Sequence, residues 1–128
     1  MVTVTMEQLM NFRNNSNFYG NTTLPLKSAY KLNKIRQAAE KETEFYSEKF
    51  QEIINTYAKK DANGEFIFSD NGEQITIRED AIEECNKAIQ DLQNLEIQVE
   101  NYNLKIDDFG EDFQCTPDEL EIVMPFFD

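Results

Sequence analysis

The chain of 128 residues has no histidine and no tryptophan, and only two cysteines, three prolines and four glycines. Without histidine the commonest general base and metal ligand is missing. The glycines, Gly20, Gly64, Gly72 and Gly110, are isolated turn residues, so there is no glycine-rich phosphate loop. Asp61-Ala62-Asn63-Gly64 and Asp70-Asn71-Gly72 invite comparison with a calcium loop. That loop needs an acid five residues before its glycine, where Lys59 and Ile67 stand. Cys85 and Cys115 make neither a disulfide framework nor a metal cluster, and Cys85 reads as a small core residue. No run approaches the ~20 apolar residues of a membrane span. Met1–Glu7 lacks the basic start and apolar run of a signal peptide. The expectation is a non-enzymatic, cofactor-free, soluble protein of a reducing cytoplasm.

Basic residues are also scarce. Twelve stand against 25 acids, for a net charge of −13. Such a surface repels a phosphate backbone, which argues against direct nucleic-acid binding. It suits a partner with a basic surface.

What is present is one long amphipathic pattern. From Leu26 to Lys60, Leu32, Ile35, Ala39, Tyr46, Phe50, Ile53 and Tyr57 recur at helical spacing with one gap at Glu42. No glycine or proline follows Pro25 in this stretch. The predicted helix over 26–60 is roughly 50 Å long and needs a partner laid along it. Phe66, Phe68, Ile75 and Ile77 around Asp70-Asn71-Gly72 predict a β-hairpin over 65–77. A second helix over 79–93 carries Ile82, Cys85, Ile89 and Leu92 as a narrow apolar seam, suited to packing back along the long helix.

Shorter elements flank this frame. Val2 and Val4 alternate with threonines, and Thr5 can cap a helix carrying Met6, Leu9, Met10 and Phe12. That helix is expected to stop near Arg13, before a polar loop over 14–23. Phe18 and Tyr19 in that loop either pin it to the core, the preferred reading, or stand as exposed contacts. Leu95–Glu100 alternates as a strand, and Tyr102, Leu104 and Ile106 continue the alternation after a slip at Asn101. Asp107, Asp108, Glu111 and Asp112 read as a solvated acidic turn. Thr116-Pro117-Asp118-Glu119 is a capping-box start for a final short helix with Leu120, Val123 and Met124 inward. The predicted class is α+β and the chain a single domain, 1–128. Its frame is a long antiparallel helical pair connected by the hairpin. A small antiparallel sheet, short terminal helices and a C-terminal strand and helix over 95–127 complete it.

Three groups of candidate functional residues follow. Glu40, Glu44, Glu48 and Glu52 on the long helix, with Glu79, Asp80, Glu83 and Glu84 on the second, form acidic faces for a basic partner. Lys27, Lys31, Lys34 and Arg36, with Tyr30, are the one segment suited to phosphate or a nucleotide-like ligand. Phe45, Phe50 and Tyr57 are candidates for a homo-oligomer interface on length of the long helix left uncovered by the shorter one.

Leu24-Pro25-Leu26-Lys27-Ser28-Ala29-Tyr30-Lys31-Leu32 resembles the helix start of a family of small uncharacterised proteins encoded by phages and prophages of Gram-positive bacteria. Lys60–Glu65 is similar to that family's turn, and Ile106–Phe109 followed by Thr116–Leu120 to its tail. The resemblance implies a phage origin and a host bacterial cytoplasm, with no catalytic residues to carry over. The Asn14–Asn17 loop and the Phe18-Tyr19 pair depart from the family. With the charge, it gives an expectation of a phage-encoded inhibitor of a host anti-phage defence protein. The alternatives are a homo-oligomeric assembly or virion-associated protein, and an oligomeric sponge for a nucleotide-like signal.

Overall fold

A computed structural model describes residues 1–128. The fold is α+β, with helices including one of 32 residues and a two-stranded antiparallel sheet. Its contacts gather into two compact units. The first comprises Met1–Glu44 and Asn94–Asp128, and the second Phe45–Gln93.

In the first unit, strand β1 (Val2–Thr5) pairs with β2 (Glu96–Val99) in the register Val2–Val99, Val4–Ile97. Alternation turns Val4 and Val99 into the core. Thr5 ends β1 and starts helix α1 (Met6–Asn15). Its hydroxyl accepts from the Gln8 N–H at 3.1 Å while the Gln8 side chain accepts from the Thr5 N–H. Met6, Leu9, Met10 and Phe12 are all buried, as their spacing requires. α1 runs two residues past Arg13, and the expected loop contains a further short helix, α2 (Asn17–Asn21). Tyr19 is buried and Phe18 half-buried, so this segment is pinned to the core.

Helix α3 (Leu26–Tyr57) follows the extended Leu24-Pro25 step and contributes residues to both units. In the first unit it buries Ser28, Lys31, Leu32, Ile35 and Ala39. It ends three residues before the expected Lys60.

The expected strand at Tyr102–Ile106 does not form. Asn101 is fully buried, and its amide donates to the Phe126 carbonyl at 3.0 Å and to Asp128 Oδ1 at 2.7 Å. These two donated bonds hold Asn101 against the C-terminal segment, its Oδ1 being left without a partner, and the chain reverses directly after it. Tyr102 and Asn103 take φ of 54° and 58°, and the Leu104 N–H closes the turn on the Asn101 carbonyl at 3.0 Å. Leu104 is then buried, while Ile106 is exposed at the start of a 3₁₀ turn over Ile106–Phe109.

The last helix, α5 (Pro117–Val123), begins on the anticipated capping box of Thr116 and Glu119. Val123 is buried, but Met124 is half-exposed and Phe126 takes the inward place. The helix tightens into a 3₁₀ turn at Met124–Phe126, and the change of pitch resets which residue faces the core.

In the second unit, α4 (Ile82–Gln93) follows a 3₁₀ turn over Glu79–Ala81, in place of one helix from 79. The expected seam is displaced at its start. Ala81 is buried and Ile82 exposed, with Cys85 and Leu92 buried and Ile89 half-buried. A tighter opening turn rotates the first residues relative to the seam. The 65–77 segment has no strand of ordinary length. Isolated antiparallel bridges join Ala58 to Ile77, Lys60 to Phe66 and Phe68 to Ile75. Gly64 and Gly72 take φ of 78° and 73° at its two turns.

Candidate functional site

The acidic faces are exposed throughout. Glu40, Glu44, Glu48 and Glu52 stand four residues apart on α3, and Glu79, Asp80, Glu83 and Glu84 open the helical part that ends in α4. Three of the eight have partners within the chain. Arg13 Nε reaches Glu40 at 3.2 Å, Lys49 reaches Glu52 at 3.2 Å, and Arg78 reaches Asp80 at 3.7 Å. Glu44, Glu48, Glu79, Glu83 and Glu84 have none. At these exposures each intramolecular pair is worth well under about 1 kcal/mol, so even the paired acids remain available to an outside cation.

The basic segment of α3 is differently disposed. Lys31 is buried; its ammonium donates to Asp108 Oδ2 at 2.7 Å and to the Asn103 carbonyl at 3.1 Å. Lys27 approaches the other oxygen of Asp108 at 3.7 Å. The Lys31 hydrogen bond holds the Asp108 carboxyl below the usual carboxylate range, opposed by burial and assisted by the Lys105 N–H and the charges of both lysines. This pair ties α3 to the 3₁₀ turn and to the Tyr102-Asn103 reversal. A phosphate arriving at Lys31 would have to displace Asp108. Lys34 stands 5.6 Å from the centre of the Tyr30 ring, which meets Tyr102 edge-on at 6.1 Å. Arg36 lies against Gly20 with its Nε enclosed and without a partner. The five residues therefore do not converge on one open anion site.

Of the oligomer candidates, Phe45 is 38% exposed. Phe50 and Tyr57 are half-buried, and Phe50 stacks on Tyr46 at 6.0 Å.

Two spaces in the first unit were not visible in the sequence. Tyr19, Phe109, Phe113 and Phe127 pack into one aromatic cluster, with Phe109–Phe113 at 5.1 Å and Phe109–Phe127 at 5.8 Å. The Tyr19 hydroxyl donates to the Glu119 carbonyl, and burial, with Cys115 and Glu119 nearby, makes it a weaker acid than an ordinary tyrosine. These rings wall an open-mouthed cavity of about 210 Å³, lined also by Cys115, Leu120 and Val123. A groove of about 440 Å³ runs beside it, from Thr22, Thr23 and Pro25 to Glu111, Asp112 and Gln114. The only sequence hint was the density of phenylalanine after Asp108. Gly110 between the two rings breaks any periodicity that would have placed them together.

No helix is long and apolar enough to cross a membrane. Comparison with family models, curated proteins and solved structures finds no match to this chain.

Proposed function

We propose that the chain works by binding another protein, as a non-enzymatic inhibitor of a host anti-phage defence protein in the bacterial cytoplasm. The observation that carries the binding is the set of exposed, unpartnered acids: Glu44 in the first unit and Glu48, Glu79, Glu83 and Glu84 in the second. Rows of carboxylates pair with Lys/Arg rims and steer the encounter with a basic surface. The phage and host assignment rests on the sequence resemblance alone. In this reading the end of α3 and α4 form an antiparallel pair closed by the 65–77 hairpin. Backbone bonds from Lys59 to the Thr76 carbonyl and from Arg78 to the Tyr57 carbonyl support it.

Native mass spectrometry of the tagged protein purified from host cells tests the proposal. The expected result is a host protein held at fixed stoichiometry and released when Glu48, Glu83 and Glu84 are changed to Gln or when salt is raised. Recovery of phage structural proteins alone would overturn it.

A second reading, assembly through self-association, has one observation in its favour. Within the second unit α3 buries none of its residues fully, Phe45 and Phe50 included. Sedimentation mass rising with concentration would favour it, and a constant monomer mass would exclude it.

A further inference from the structure

Phe109, Gly110 and Phe113 form a partition with a different kind of space on each side. The cavity on one side is apolar in character. The Tyr19 hydroxyl is already engaged by the Glu119 carbonyl, leaving the Cys115 thiol as the one polar side-chain group in the wall free of a partner. At about 210 Å³ it exceeds the roughly 150 Å³ that admits benzene in an apolar cavity. That room suits a phenyl or leucyl side chain and is too small for a nucleotide.

The groove on the other side has an acidic rim. Glu111 and Asp112 are exposed, and neither has a cationic partner in the chain. Lys27 and Lys31, the cations of the neighbouring helix start, are both drawn to Asp108. Gly110 lets the backbone turn sharply between the two rings, at φ of 80° and with Pro25 packed close by. An apolar hole beside uncompensated carboxylates is complementary to an apolar anchor next to a cation: buried anchors supply interface affinity and complementary charge supplies its specificity.

We propose that this is an anchor site for a peptide segment of a protein partner. A phenylalanine or large aliphatic side chain enters the cavity, and an adjacent Lys or Arg lies against Glu111 and Asp112. The inference rests on the reading that the chain binds a basic protein, and it adds to the acidic helix faces a separate contact in the first unit with its own recognition chemistry.

The test titrates the full ¹⁵N-labelled chain with acetyl-Arg-Phe-Arg-amide, acetyl-Glu-Phe-Glu-amide and acetyl-Arg-Ala-Arg-amide. Arg-Phe-Arg should shift the amides of Gly110, Phe113 and Cys115 and slow alkylation of Cys115. Cys85 is buried and gives little background. The other two peptides should bind more weakly. The double variant Glu111→Gln, Asp112→Asn alters only exposed side chains and should lower Arg-Phe-Arg affinity about fivefold, the effect of two exposed ion pairs. Equal binding of Glu-Phe-Glu, equal binding of Arg-Ala-Arg, or shifts confined to other residues would each overturn the site. The peptides read the site without the partner, so its failure leaves the proposed function standing. Absence of any host protein in native mass spectrometry would overturn the function instead.

Discussion

The two units are built from similar residues but close over them to different degrees. The first buries Phe12, Phe126, Met6, Leu9, Ile35 and Leu104 almost completely. In the second, the buried apolar residues are Ala58, Ala81, Cys85 and Leu92, all small but one. Of its large rings, Tyr46, Phe50, Tyr57 and Phe66 are partly exposed, and Phe45 and Phe68 more so. Buried area, more than the number of aromatic residues, sets the hydrophobic contribution. Two helix segments and a few isolated bridges cannot enclose their rings, whereas a sheet, several short helices and part of α3 can. The first unit should therefore carry most of the stability, and the second should open more easily.

The largest expected effect lies in the first core. Phe12 and Phe126 meet at 5.0 Å with both side chains out of solvent. Phe126→Ala should lower unfolding free energy in urea by about 4 kcal/mol. Phe50→Ala in the second unit should cost less, about 2 kcal/mol, because part of that ring is already exposed. Equal losses would break the comparison.

Next comes the Lys31–Asp108 pair. Asp108→Asn leaves a buried ammonium without its counter-charge and should cost about 3 kcal/mol in the same measurement. The pair also gives a pH dependence. Asp108 has a depressed folded value, so its stabilisation is fully present above the ordinary carboxylate range near ~4 and is lost as pH falls through the folded value. The wild-type chain should lose stability over that acid window more steeply than the Asp108→Asn variant. Parallel curves would show that ionisation of Asp108 is not linked to folding.

Hydrogen exchange sharpens the comparison without any mutation. Amides of α4 should exchange through an opening of lower free energy than amides of α1 and β1. A single common free energy would mean that the chain opens as one unit. The smallest effect is expected at Asn103, held at φ of 58°. Asn103→Gly should stabilise by a few tenths of a kcal/mol at most, since asparagine already tolerates this region and glycine adds chain entropy to the unfolded state.

Local chemistry was legible wherever a short pattern is self-sufficient. Thr5 with Gln8 and Thr116 with Glu119 make caps from residues three apart, so their geometry needs nothing distant. The alternation in Val2–Thr5 and Glu96–Val99 marked two strands, and the buried face of α1 followed from its spacing. The acidic rows were equally plain, because exposure of glutamate on a helix follows from the same period.

Other features depended on what the chain met elsewhere. Asp108 belonged to an acidic turn in the sequence, and only Lys31, far away in the chain, made it a buried anchor. That pairing removed Lys31 from the candidate phosphate site. The alternation at Tyr102–Ile106 gave way to a reversal because a buried Asn101 amide had to reach Phe126 and Asp128. Phe109 and Phe113 became the wall of a cavity through Tyr19 and Phe127, residues that no local pattern joins to them. Composition, caps and periodicity thus determined the class, the helices and the acidic surface, since each rests on neighbours a few residues apart. Which charges are neutralised and which rings enclose a space was decided only by tertiary structure, because burial and pairing depend on groups brought together from distant parts of the chain.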